Sequence, residues 1–288
     1  MSERVFHYWA DGVQAKDIVG YGTSGYAARL PNTDEVIKVP SPADEGARLR
    51  CAREIEVYER LETGRDPRPD SILQYRGVRS DGALRLEYAA GGNFKQHLVQ
   101  SRETIQPDEM LRWAKQGAQA LAYCHANSVL HGDICGNNFM LDGDMNLKLG
   151  DFAGSAIDQL PALVAYHTTH QLPGIEMSSP DGDMMITIES EIFAFGSLLY
   201  EIMNDLHPYA SLSENEVERR YLRKEFPDTS QFGALGPIIA GCWALQFETM
   251  EDVVKSIESR SRQYHRMQAL AVSFTCLLVV HVFHNIIR

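Results

Sequence analysis

The feature that most limits how this chain can fold is a change of pattern at Gly91-Gly92. From residue 16 to about 90, short apolar alternations recur between Gly, Pro and Asp turns, as strands require. Beyond the glycine pair, residues 94 to 128 and 188 to 203 carry the three-to-four-residue apolar spacing of helices. Strands gathered first and helices second predict an α+β fold of two lobes, a small β-rich N-lobe and a larger helical C-lobe. Gly91-Gly92 is the flexible joint between them, and 288 residues suffice for one two-lobed unit.

In the first lobe, KDIVGYGTSGYAARLPNTDEVIKVP (residues 16 to 40) predicts a hairpin about a Gly-rich turn, followed by a β run from Val36 to Val39. Gly20, Gly22 and Gly25 let backbone amides approach an anion closely, and Lys38 can reach the same anion. No helix opens directly after the glycines, which disfavours phosphate loops of the Rossmann or Walker type. Residues 45 to 62 have helical periodicity, with Leu49, Ile55, Tyr58 and Leu61 offered to one face. Glu54, near its middle, reads on its own as a solvated carboxylate.

Two further β runs, ILQYRGVR and ALRLEYAA, precede the joint. In the second lobe Pro107 suits a first helical turn. IESEIFAFGSLLYEIM, residues 188 to 203, is apolar all round and predicts a buried hub helix, whose Glu191 then needs a partner. Between Gly154 and Met177 a Pro-Gly turn and sparse apolar periodicity predict a loop over a cleft.

The chemistry concentrates in HGDICGNNFML (His131 to Leu141) and LKLGDFAG (Leu147 to Gly154). Asp133 and Asp151 stand eighteen positions apart with Asn138 between them. One carboxylate can accept a proton from an attacking hydroxyl, while the other, with the Asn amide oxygen, offers hard ligands to Mg²⁺. A formal charge of −12 speaks against a nucleic-acid partner, which would need a basic face. Five scattered cysteines without metal-ligand spacing read as reduced cytosolic thiols, and MSERVFHYWADG does not resemble a secretory signal.

Taken as an ordered set, these motifs resemble the eukaryotic protein kinase family over roughly residues 16 to 260. The set comprises the Gly-rich loop, the VIK lysine Lys38, helix Glu54, LEY at 86 to 88, HGD at 131 to 133, Asn138, DFAG at 151 to 154, PGIE ending in Glu176, and FAFGSLLYEIM. HGDIC with DFAGS further resembles divergent kinase-like proteins of fungal type. The resemblance implies ATP and Mg²⁺ as cofactors and a protein substrate. It implies that Gly20, Gly22 and Gly25 cover ATP phosphates and that Lys38, held by Glu54, contacts them. Leu86 would be the gatekeeper, with the backbone from Glu87 to Ala89 holding adenine and Ala27, Val36 and Met140 enclosing the ring. Asp133 matches the catalytic base, and Asn138 and Asp151 match the metal ligands. Tyr58, His131 and Phe152 fall where stacked residues join the lobes.

Several positions depart from the family pattern. Gly132 replaces the arginine that pairs with a phosphorylated activation segment, so switching by that route is not expected. Cys135 and Asn137 stand where the family carries a catalytic-loop Lys or Arg; losing such a stabiliser costs about 3 to 4 kcal/mol of barrier. Ala153 replaces the DFG glycine, and Glu191 replaces an Asp that ties the hub helix to the catalytic loop. Two functions follow: an ATP-dependent protein kinase acting on Ser/Thr hydroxyls with weakened activity, or a nucleotide-binding pseudokinase acting as scaffold or allosteric partner.

The expected organisation is an N-terminal extension (1–15), N-lobe (16–90), C-lobe (91–262) and hydrophobic tail (263–288). Residues 269 to 287 contain no Lys, Arg, Asp or Glu, and a helix of that length spans about 28 Å, near the thickness of a bilayer core. Lys255, Arg260, Arg262 and Arg266 precede it against one acid, Glu258. Two readings stand, a membrane anchor and a C-terminal helix packed on the C-lobe. The anchor is favoured because the core is complete without the tail. The expected location is cytoplasmic, tail-anchored with the catalytic part in the cytosol.

Overall fold

Alternation along the strands sets which side chains of the first lobe face inward. β1 (Ile18–Gly22), β2 (Gly25–Arg29), β3 (Glu35–Pro40), β4 (Tyr75–Val78) and β5 (Leu84–Glu87) form an antiparallel sheet in the order β1-β2-β3-β5-β4. Ala27 lies opposite Lys38, Val36 opposite Leu86 and Lys38 opposite Leu84. These residues therefore share one face. Tyr26, Ala28, Ile37 and Val39 share the other and pack with Ala10, Val13 and Ala83 in a small outer cluster. The computed structural model describes residues 10–22, 24–174 and 186–286, with side chains as far as Leu270.

α1 (Glu45–Glu62) begins at Asp44, whose carboxylate caps the Ala47 amide at 2.9 Å. Its buried stripe runs through Ala47, Cys51, Glu54, Tyr58 and Leu61. Leu49, expected on that face, is 55 % exposed. Two residues beyond Ala47, it sits about 200° round the helix from the stripe. The polar positions Arg53 and Glu54 are buried in its stead, because α1 turns toward the cleft and the segment after Asp151.

The second lobe opens with β6 (Gly92–Asn93), α2 (Phe94–Ser101) and α3 (Pro107–Ala126), with Pro107 in the first helical turn. Short strands β7 (Val129–Leu130), β8 (Phe139–Leu141), β9 (Leu147–Leu149) and β10 (Ala156–Ile157) carry the catalytic stretch. β6, β8 and β9 form one small sheet, and β7 pairs with β10. α4 (Ile188–Asn204) is the hub, with Phe193, Phe195, Leu198, Leu199 and Ile202 fully buried. It packs against α3 and α6 (Gly236–Trp243), while α5 (Glu214–Leu222) and α7 (Met250–Ile286) complete the lobe.

Glu191 of α4 has three partners: it accepts from the Gly132 amide at 2.8 Å and the Tyr166 hydroxyl at 2.6 Å, and meets His125 Nε2 at 2.8 Å. Burial opposes its charge, but His125 and the donors around it prevail and hold it below the ordinary carboxylate range. The longer arm of Glu thus still reaches the catalytic loop.

Pro173 and Gly174 form a turn, while Ile175, Glu176 and Met177 lie outside the described residues. Lys115 pairs with Glu258 at 2.7 Å and His265 meets Asp108 at 3.1 Å, fastening α7 to α3. From His265 to Leu270 every side chain of α7 is exposed. The side chains beyond Leu270, where most of the apolar tail falls, lie outside the description. Among the described residues, no helix is long and apolar enough to cross a membrane.

Candidate active site

The inner face of the sheet and the catalytic stretch enclose a cleft of about 780 Å³. Every candidate residue named from the sequence lines it: Gly20, Gly22, Gly25, Ala27, Val36, Lys38, Glu54, Leu86, Glu87, Ala89, Asp133, Asn138, Met140 and Asp151. Gly25 closes the turn from β1 to β2 at φ +143°, where an added Cβ would lie 1.9 Å from the Val39 carbonyl oxygen. Only glycine lets those backbones approach so closely.

Lys38 is the electrostatic centre. Its Nζ lies 2.7 Å from Glu54 and 2.8 Å from Asp151. Burial alone would lower the ammonium pKa, but the two carboxylates outweigh it and hold the value above its ordinary one. Burial pushes Glu54 up to about 7 against the pull of Lys38. Partial withdrawal from solvent within the cleft acts on Asp151 in the same sense, but there Lys38 prevails and keeps the carboxyl below its usual range. Asp151 adopts the left-handed conformation, φ 60° and ψ 62°, and the tight turn Phe152–Gly154 follows. Its carboxylate stands 46 % exposed on the cleft.

The rings of Tyr58, Phe152 and His131 touch in sequence, Tyr58 edge-to-face on Phe152 at 5.0 Å between centroids and His131 tilted against Phe152 at 5.1 Å. His131 Nε2 lies 3.0 Å from the Gly150 carbonyl oxygen. This apolar spine links α1, the Asp151 turn and the catalytic loop. Asn138 donates its amide to the backbone oxygen of Asp133 at 2.7 Å and to its carboxylate at 2.8 Å. The Asn138 amide oxygen is thereby left to serve as an acceptor.

Three departures acquire physical reasons. Gly132 has φ +80°, and a Cβ there would lie 3.2 Å from Gly154 O and 3.4 Å from Ile186 Cδ1, so an arginine is disfavoured both by conformation and by space. Ala153 sits in a right-handed turn that takes alanine without strain. Cys135 is half-buried; burial, with the Asp133 charge adding, pushes its thiol up to about 12. It is therefore a neutral group beside the reaction centre.

Sequence reasoning missed Cys51, Leu73 and Val164 as cleft-lining residues. It also treated Glu87 as backbone only, whereas its carboxylate accepts from the Gln74 amide at 3.0 Å and pairs with Lys148 at 3.3 Å. The alternation that places Leu86 inward points Glu87 to the opposite side, which was the available signal.

The model of the family described as protein tyrosine and serine/threonine kinase matches residues 32–259. The chain belongs to the protein kinase family. It is 26% identical over 185 residues to the serine/threonine-protein kinase PrkC of Bacillus subtilis (strain 168), covering 60% of this chain and 28% of that protein. It is 24% identical over 262 residues to the serine/threonine-protein kinase A-Raf of Sus scrofa, covering 82% of this chain and 41% of that protein. The chain thus spans well under half the length of these relatives. Family membership implies ATP and, as a rule, Mg²⁺. The donor set fits that ion: one cleft-facing carboxylate, Asp151, and one amide oxygen, Asn138, are hard oxygen ligands suited to Mg²⁺ shared with substrate phosphates.

Proposed function

We propose that this chain is an ATP-dependent protein kinase that transfers the γ-phosphoryl group to serine or threonine hydroxyls. The observation that carries the reading is Lys38 held between Glu54 and Asp151 in a cleft shared with Asp133 and Asn138. Adenine enters between Ala27, Val36 and Met140, and the Gly20 to Gly25 turn lies over the phosphates. Lys38, oriented by Glu54, neutralises phosphate oxygens. Asp133 takes the proton of the acceptor hydroxyl as its oxygen bonds to the γ-phosphorus and the bond to the leaving ADP oxygen breaks. Asp151 and Asn138 would hold Mg²⁺, which supplies charge neutralisation at the phosphates when bound. The Ser/Thr preference draws support from the serine/threonine kinases among the relatives.

The test is incorporation of label from γ-labelled ATP by the wild type beside Asp151→Asn. Strong loss in the variant, with the fold retained, supports the reading; equal incorporation defeats it. A nucleotide-binding pseudokinase is the second reading, favoured by the neutral Cys135 and Asn137. It expects nucleotide to raise the melting temperature of the wild type without any transfer.

For the tail, the reading we favour is a membrane anchor that leaves the kinase domain in the cytosol. It is supported by the exposed Met267 and Leu270 at the point where α7 leaves α3. Carbonate washing of cell membranes should leave the full chain in the pellet; release of intact protein would count against an anchor.

A further inference from the structure

We propose that Arg53 is a positioning residue that secures the segment after Asp151 to α1 without phosphorylation. Its guanidinium, 7 % exposed, donates through one nitrogen to the carbonyl oxygens of Ser155 at 2.5 Å and Pro161 at 2.8 Å. Those two carbonyls stand at the beginning and the return of a single loop. The loop is closed on itself: the Leu163 amide donates to Gly154 O at 2.9 Å, and Ile157 and Leu160 exchange bonds at 3.2 and 2.9 Å. β10 ties it to β7, and Ser155 Oγ donates to His131 O at 2.9 Å. At its outer end, Asp158 receives both arms of Arg60, also from α1, at 2.9 and 2.6 Å.

The position from which the family's arginine would reach a phosphorylated segment is closed. A Cβ on Gly132 meets Gly154 O and lies 3.6 Å from Ala162 Cβ, so the returning limb of the loop already occupies that space. The cation comes instead from α1 and binds backbone oxygens, which are present as soon as the chain folds. Because Arg53 adjoins Glu54 on α1, the same contact fixes the helix that aims Lys38. A dephosphorylated chain therefore has its ion pair assembled.

The rate arm of the test rests on the kinase reading; the exchange arm does not. Full-length wild type, Arg53→Met and Arg53→Lys are treated with a protein phosphatase. Hydrogen exchange of residues 155–163 and transfer from γ-labelled ATP are then measured. Dephosphorylation should leave the wild-type rate within about twofold. Loss of two charge-assisted bonds in Arg53→Met should speed exchange across the loop and lower kcat by about tenfold or more, with nucleotide affinity little changed. Arg53→Lys, which keeps the charge but offers one ammonium to two carbonyls, should fall between, so a poorly folding Met variant leaves the test intact. Wild-type activity lost on dephosphorylation, or wild-type exchange in both variants, would overturn the proposal. If no form transfers phosphate, the kinase reading fails while the exchange result still decides the role of Arg53.

Discussion

Replacing Cys135 by lysine should raise the rate of phosphoryl transfer, and the surroundings of the side chain bound the gain. Burial acts first on the thiol, and the charges of Asp133 and Glu201 act in the same direction, toward the neutral form. For an ammonium the two influences oppose one another: burial disfavours its charge, whereas both carboxylates favour it. A lysine there stays charged and can extend toward the cleft beside Asp133. A transition-state stabiliser of this type contributes about 3 to 4 kcal/mol, or on the order of a hundredfold to a thousandfold in rate, which is the upper limit. Glu201 reduces it. Its carboxylate is buried and lies 3.3 Å from where a Cβ on Gly136 would stand, so it competes for the new ammonium. Cys135→Lys combined with Glu201→Gln should therefore exceed Cys135→Lys alone. Rapid-quench single-turnover measurements with γ-labelled ATP isolate the chemical step, and Cys135→Met supplies the length without the charge. If Lys and Met variants react equally fast, the missing cation does not limit the reaction.

Glu191→Ala should destabilise the fold by about 3 to 5 kcal/mol, because it strands His125, Tyr166 and the Gly132 amide in the core; urea unfolding measures this. Since the Glu191 pKa is depressed in the folded state, its contribution is complete above the unfolded carboxylate value and fades as pH falls through the folded one. The difference between wild type and variant should accordingly shrink in acid. Gly25→Ala should weaken ATP binding, read as a smaller nucleotide-induced melting shift, because its Cβ would overlap the Val39 carbonyl and force the Gly-rich turn to move.

How much of this was legible in the sequence follows from which forces act locally. The cleft residues were readable because strand alternation and short motifs fix them: once Lys38 faces inward, Val36 and Ala27 do too. The hub helix was readable from apolar residues distributed all round it, and Pro107 marked the start of α3. The inward side of α1 was misread at Leu49, since that helix buries a stripe containing charged residues whose partners lie on other elements: Lys38 on β3 for Glu54, and the carbonyls of Ser155 and Pro161, 102 and 108 positions away, for Arg53. Arg53 left no signal for the same reason. An arginine in a polar helix reads as solvated, and its acceptors are backbone carbonyls, which no residue type announces. Gly132 was legible as a departure from pattern, but its positive φ and its crowding by Gly154 and Ala162 emerge only when the later segment is folded back over it.

The most direct test of phosphoryl transfer at this site is Asp133→Asn, which removes the proton acceptor while keeping its shape and leaving Lys38, Asn138 and Asp151 in place. Initial rates with γ-labelled ATP and Mg²⁺ should fall by about a hundredfold to ten-thousandfold, as expected for loss of a general base, while the nucleotide-induced melting shift persists. Wild-type rates in this variant would contradict Asp133 as the base, and an absence of transfer in the wild type itself would leave the chain a nucleotide-binding pseudokinase.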